Sequence, residues 1–282
     1  PAPPGSFMRY LRLMIARFSM ALGLVGLLGT TLLLSVHAAP PPSAFGVWDR
    51  GSSFDPADHP FLRGLAFYQK WSEVEKQPGV FDWSVLDQAM DTAVRRNQFI
   101  YLSLGVGPDA PGWIYAAGVP AVKTENQIHD SWPVYPFYPS SAYKSFFHRL
   151  IAEFGKHLRS YPQEKQERII FIQVKTGCTG DECAYKGDVI EKQYDLPARS
   201  PAWREFRLWA FERFVETFQR NSDGPRIALM FNNVTPDDEE GAGRGFTEEW
   251  KWVMANAQGG VGIKLAGSAR GHHLSGERTK VQ

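Results

Sequence analysis

The sequence predicts an α/β fold built on a parallel sheet, and three observations predict it. Short apolar runs alternate with stretches whose apolar residues recur at helical spacing. The runs are nearly continuous rather than alternating, as expected of strands buried on both faces. The longest segments without periodicity, Gly105 to Pro139 and Lys175 to Arg199, follow strands and not helices. Loops at the carboxyl ends of parallel strands are where such folds build their sites.

A weak first strand lies near Phe45-Gly46-Val47, and a second at Phe61 to Phe67, interrupted by Arg63. Asp82-Trp83-Ser84 opens a helix with Leu86, Ala89, Met90 and Ala93 along one side. Phe99 to Leu104 is the third strand and stops at Gly105. Ser140 to Leu158 is helical, with Phe146, Phe147, Leu150, Ile151, Phe154 and Leu158 on a broad stripe. Arg168 to Val174 is the clearest strand and runs to Gly177. Ser200-Pro201 is a cap followed by proline at the first helical position, ahead of Phe206, Trp209, Ala210, Phe214 and Phe218. Arg226 to Phe231 is a fifth strand, Thr247 to Asn256 a helix, and Val261 to Leu265 a weaker last strand.

Composition narrows the function classes. The 282 residues are 43% hydrophobic, which excludes disorder of the whole chain. Basic and acidic residues number 31 and 30, a net +1, too balanced for a nucleic-acid footprint. Two cysteines exclude a disulfide-built miniprotein and a four-cysteine zinc site, and no metal is expected. Nine Trp, 19 Phe and 20 Pro suggest a rigid fold with long loops and aromatic surfaces.

Met8 is the first plausible start, and Arg9, Arg12 and Arg17 precede the uncharged apolar run Phe18 to Val36. Val36-His37-Ala38 offers compact residues for a cleavage site. The segment is a cleaved signal peptide or an uncleaved anchor, so the protein is expected to be secreted or periplasmic, or else held at a membrane. Export in turn predicts a disulfide between Cys178 and Cys183. The organisation expected is upstream and signal residues 1–38, a proline-rich linker 39–44, a domain 45–266 and an irregular tail 267–282.

The stretch Trp71-Ser72-Glu73-Val74-Glu75-Lys76-Gln77-Pro78-Gly79-Val80-Phe81-Asp82-Trp83 resembles a pattern of clan A glycoside hydrolases. Ala110-Pro111-Gly112-Trp113-Ile114 is similar to a segment after the third strand of β-galactosidase-like members, and Ile169 to Val174 resembles their fourth strand. The resemblance covers roughly Phe45 to Phe231. It implies a (β/α)8 barrel of TIM type and retaining hydrolysis by two carboxylates, with no cofactor. One carboxylate protonates the leaving oxygen while the other attacks the anomeric carbon, and retention sets the two carboxyl groups about 5–5.5 Å apart. The implied substrate is a galactose-containing oligo- or polysaccharide.

The chain departs from that pattern twice. After the fourth strand it reads Lys175-Thr176-Gly177-Cys178-Thr179-Gly180, with no Asn-Glu, and the acids arrive at Asp181 and Glu182. Glu182 is the acid/base candidate and Asp181 its substitute; the alternative for each is a solvated or loop-capping acid. The other departure is length: about six strand–helix units are visible where a barrel needs eight. The tail from Gly267 is polar and no nucleophile is evident, so an incomplete barrel is expected. Trp113 and Trp132 offer faces for sugar stacking or pack their loop. Trp71, Asp109, His129 and Gln173 complete the expected substrate-binding set. Arg63, Gln69 and Lys70 are further candidates for the cleft lining. The alternative to an enzyme is a non-catalytic carbohydrate-binding barrel or an inactive fragment.

Overall fold

The computed structural model describes residues 46–50, 54–125, 134–178, 183–197, 200–220, 224–232, 247–257 and 261–264. Six parallel strands form its sheet: β1 (Val47–Asp49), β2 (Leu62–Lys70), β3 (Phe99–Gly105), β6 (Ile169–Val174), β8 (Ala228–Asn232) and β9 (Val261–Lys264). Their spatial order, β1-β2-β3-β6-β8-β9, follows their order in the chain. A sheet that winds in one direction with helical crossovers is consistent with part of an α/β barrel; a doubly wound sheet would reverse its order. Closure into a full barrel is not seen among the described residues.

The helices lie on one face. They are α1 (Trp71–Val74), α2 (Ser84–Arg95), α3 (Trp113–Ala116), α4 (Ser141–Arg159), α5 (Gln163–Gln166), α6 (Pro201–Val215) and α7 (Thr247–Asn256). Ser140 and Ser200 cap α4 and α6 by accepting the amides of Tyr143 and Trp203. Helix α6 continues into a π turn at Glu216–Arg220. Leu65, Ile100, Leu102, Leu104, Ile172, Val174, Leu229 and Phe231 point from the strands into the core formed with these helices. Each is almost fully buried, and their period of two puts the intervening residues on the opposite face.

A feature absent from the sequence reading is a second, antiparallel sheet, β5-β4-β7, of Val134–Pro136, Ala121–Glu125 and Asp188–Val189. It folds the two long post-strand segments onto each other. Tyr135 and Tyr138 are buried where they meet, and Tyr138 donates to the Ala184 carbonyl at 2.9 Å. Burial pushes the Tyr138 hydroxyl well above its ordinary pKa, and the Tyr115 hydroxyl up to about 12.

The expected disulfide is corrected. Cys178 and Cys183 are not bonded; their sulfurs are 2.8 Å apart, beyond the roughly 2.05 Å of a disulfide. Instead the Cys178 amide and thiol both meet the Cys183 carbonyl, at 3.3 and 3.1 Å. Backbone pairing, without a covalent bond, brings the two residues together.

The segment from Trp71 to Trp83 is organised around the carboxylate of Glu75, which is fully buried. It accepts the Trp71 indole N–H at 2.7 Å, the Gly79 amide at 2.6 Å, and the Arg149 guanidinium from α4. The Glu75 carbonyl accepts the Trp113 indole N–H at 2.9 Å. Arg149 is itself held against the Trp113 and Phe146 rings, 5.6 and 5.3 Å from their centroids. Glu75→Gln removes the charge while keeping the shape. Its expected cost is about 2–3 kcal/mol in urea-induced unfolding, below the usual range for broken buried pairs because Arg149 is one-third exposed. A change under 0.5 kcal/mol would show that the ion pair is not what holds this segment.

Candidate functional site

The face away from the helices carries the chemistry. Low on the sheet it is aromatic: Trp48 of β1, Tyr101 of β3 and Phe171 of β6 are half-buried and pack together. Tyr101 and Phe171 stack at 4.9 Å, and Trp48 lies 5.8 Å from Tyr101 and 6.2 Å from Phe171. Gly64 of β2 makes this possible, because a side chain there would occupy the Trp48 ring.

One step higher the face turns polar. Tyr68, Ser103, Gln173 and Met230 stand opposite one another across β2, β3, β6 and β8. Ser103 and Gln173 are almost completely buried, and Tyr68 is 38% exposed. The Ser103 hydroxyl is buried and has no hydrogen-bond partner among the described residues.

Above this row sits Asp109, at the end of a 3-10 turn, Gly107–Asp109, and almost buried. Its Oδ2 accepts the Tyr68 hydroxyl. Two glycines allow that contact. A methyl group at Gly105 would land on the Tyr68 hydroxyl and within 2.6 Å of Asp109 Oδ2. Gly107 has φ of 65°, a conformation that L side chains rarely adopt. The Gly107 amide donates to the Tyr143 hydroxyl of α4 at 3.0 Å, which fixes the turn to the helix layer. The carboxylate is therefore placed by backbone geometry before any ligand arrives.

The end of β6 supplies a cation. Lys175 follows the strand by one residue, on the same face as Phe171 and Gln173, and its ammonium lies 5.5 Å from the centre of the Tyr68 ring. The residues that follow are closely packed. Thr176 is 1% exposed. A Cβ at Gly177 would meet the Cys183 carbonyl at 2.7 Å and the Trp203 ring at 2.8 Å. An acidic side chain has no space at position 177.

The expected site residues divide into three groups. Asp109 and Gln173 are brought to the carboxyl edge of the sheet, on or above the open face. Trp71 is fully buried and Trp113 half-buried, and both spend their indole N–H groups on Glu75. Asp181, Glu182, His129 and Trp132 lie outside the described residues. Gln69 is buried on the helix side of β2, and Arg63 is exposed and donates to the Pro60 carbonyl at 2.9 Å. Sequence reasoning missed Tyr68, Ser103 and Lys175. The signal available was parity, since Ser103 and Gln173 each occupy the same side of their strand as an aromatic two residues earlier. Among the described residues no cluster of three or more His, Cys, Asp or Glu side chains is spaced for a metal ion.

No family model matches the chain, and no curated protein matches it either. Solved structures that resemble it in part include three β-galactosidases. That of the psychrophilic Marinomonas ef1 has a TM-score of 0.44 and 13% identity over 66% of this chain and 37% of its own. The cold-adapted enzyme of Rahnella sp. R3 gives 0.40 and 12%, over 66% and 36%. The polyextremophilic enzyme of the Antarctic haloarchaeon Halorubrum lacusprofundi gives 0.39 and 14%, over 66% and 36%. The chain thus matches little more than a third of each structure's length.

Gly105→Ala tests the packing of the Tyr68–Asp109 pair. Overpacking there is expected to cost about 1–3 kcal/mol in urea-induced unfolding. In a Tyr68→Phe background the cost should shrink by at least about 0.5 kcal/mol, because the oxygen that the methyl strikes is gone. Strict additivity would mean that Gly105 serves some other contact.

Proposed function

We propose that this protein is a glycoside hydrolase of the α/β-barrel type, exported, retaining, and acting on a galactose-containing oligo- or polysaccharide. The reading rests on the three matching segments in the sequence. It rests above all on the preset carboxylate Asp109 at the carboxyl edge of a parallel sheet, over an open face lined by aromatic rings. Sugars present apolar C–H faces to aromatic rings and hydroxyl groups to carboxylates and amides, and this surface offers both.

In the proposed reaction Glu182 protonates the glycosidic oxygen as its bond to the anomeric carbon breaks. A second carboxylate attacks that carbon and forms a glycosyl ester. Water, deprotonated by Glu182, then cleaves the ester and the configuration is retained. Asp109, aligned by Tyr68, accepts hydroxyl hydrogen bonds from the sugar, and Gln173 lines the floor. A non-catalytic carbohydrate-binding role is the second reading. It is favoured by the end of β6, where Lys175, Thr176 and Gly177 supply no strand-end acid.

Aryl β-galactoside hydrolysis separates the two. Glu182→Gln is expected to lower turnover at least about a hundredfold while leaving binding nearly intact, the usual range for losing a general acid. Unchanged turnover removes Glu182 from the mechanism, and a wild-type protein that binds galactan without cleaving it establishes the binding role. Export rests on the basic and apolar pattern of residues 8–38 alone. Amino-terminal sequencing of exported protein is expected to begin at Ala39; a start upstream of Phe18 would leave the apolar segment as an anchor.

A further inference from the structure

Four shielded cations among the described residues are held in ion pairs. Arg149 pairs with Glu75, Lys165 with Asp91, Arg207 with Glu249 and Arg213 with Glu216. Lys175 is half-buried, and, like Lys144 over the Trp209 ring, it has an aromatic ring as its described partner, that of Tyr68; no described carboxylate lies within 4.0 Å of it. The nearby carboxylate, Asp109, already accepts the Tyr68 hydroxyl. Holding an ammonium partly out of water without a counter-ion is unfavourable, and an anionic ligand would relieve it.

Two further observations point to the same place. The Ser103 hydroxyl, 2% exposed and without a hydrogen-bond partner among the described residues, stands between Tyr68 and Gln173 in the row below Lys175. Alternation turns it toward the open face, where it is an unused donor. Arg50, at the end of β1, is close enough to Tyr101 for its charge to oppose the upward push of burial on that hydroxyl's pKa. By strand parity the open face therefore has cations at the ends of β1, β2 and β6, Arg50, Lys70 and Lys175.

We propose that Lys175, with the Ser103 hydroxyl beside it, forms a subsite for an anionic substituent of the carbohydrate, a carboxylate or a sulfate ester. This rests on the carbohydrate-active reading above and adds the substrate class: an acidic galactan in place of a neutral one. The ammonium and the hydroxyl donate to the anion's oxygens. Asp109 faces the neutral hydroxyls of the same sugar, so charged and uncharged groups are sorted to opposite sides of Tyr68.

Isothermal titration of the intact chain tests this with three probes: a neutral galactan, a galacturonan and a sulfated galactan. At least one anionic polymer should bind more tightly than the neutral one, and which of the two does so identifies carboxylate or sulfate. Lys175→Met is expected to weaken that binding about tenfold or more, the range for a charge-assisted hydrogen bond. Its affinity for the neutral galactan should change less than about twofold, since no charge-assisted bond to that polymer is lost. Lys175→Arg should restore most of the loss, and Ser103→Ala should cost several-fold. Lys156→Met, on the exposed outer surface of α4, controls for general charge and should change nothing. Circular dichroism and thermal unfolding establish that each variant is folded. Neutral galactan bound as well as both acidic polymers, with Lys175→Met equal to wild type, overturns the subsite and leaves the carbohydrate reading standing. No binding to any of the three overturns both.

Discussion

One buried carboxylate sets the geometry of the site's surroundings. Glu75 collects an indole from α1, an amide from the following turn and a guanidinium from α4, while its carbonyl takes a second indole from α3. A fully buried carboxylate is costly unless its oxygens are used, and here donors from three separate parts of the chain use them. The connections after β2 and β3 are thereby tied to the same helix. The 3-10 turn that carries Asp109 is tied to that helix too, through Tyr143. The position of Asp109 is thus fixed from behind by the helix layer and from the side by Tyr68.

This arrangement changes the meaning of the motif that marks the sequence. Trp71 and Trp113 belong to the segments on which the family resemblance rests; from sequence, Trp71 is expected to bind substrate, and Trp113 either to stack on a sugar or to pack its loop. In the fold, the indole N–H of each is committed to Glu75, and Trp71 has no exposed surface. The pattern Trp-x-x-x-Glu-x-x-x-Gly is a bracket for a loop. Its link to carbohydrate chemistry is indirect: it holds the scaffold on which a site can be built.

The parts legible in the sequence were those whose periodicity reports burial. The strand Ile169–Val174 and the helices begun by Ser140 and Ser200 agree with expectation because apolar spacing and a serine cap are local properties. The antiparallel β5-β4-β7 sheet was not legible, since strands of two to five residues carry too little pattern and pair across distant segments. The second strand was read as ending at Phe67, because Tyr68, Gln69 and Lys70 interrupt the apolar run. Those residues continue the strand to the rim, and Tyr68 meets a partner 41 positions away. Asp109 could be named as a candidate, but what positions it could not. The cysteine pairing was argued from compartment, whereas local backbone hydrogen bonding is what brings Cys178 and Cys183 together.

The end of β6 joins these threads. A retaining glycosidase concentrates two carboxylates at its centre, which gives the site a negative potential and disfavours anionic substituents near the scissile bond. At this strand end the position after buried Thr176 is closed by Trp203, and the residue facing the site is a lysine. The strand itself contributes positive charge there. A strand end that offers lysine in place of glutamate presents no negative charge to an approaching anion.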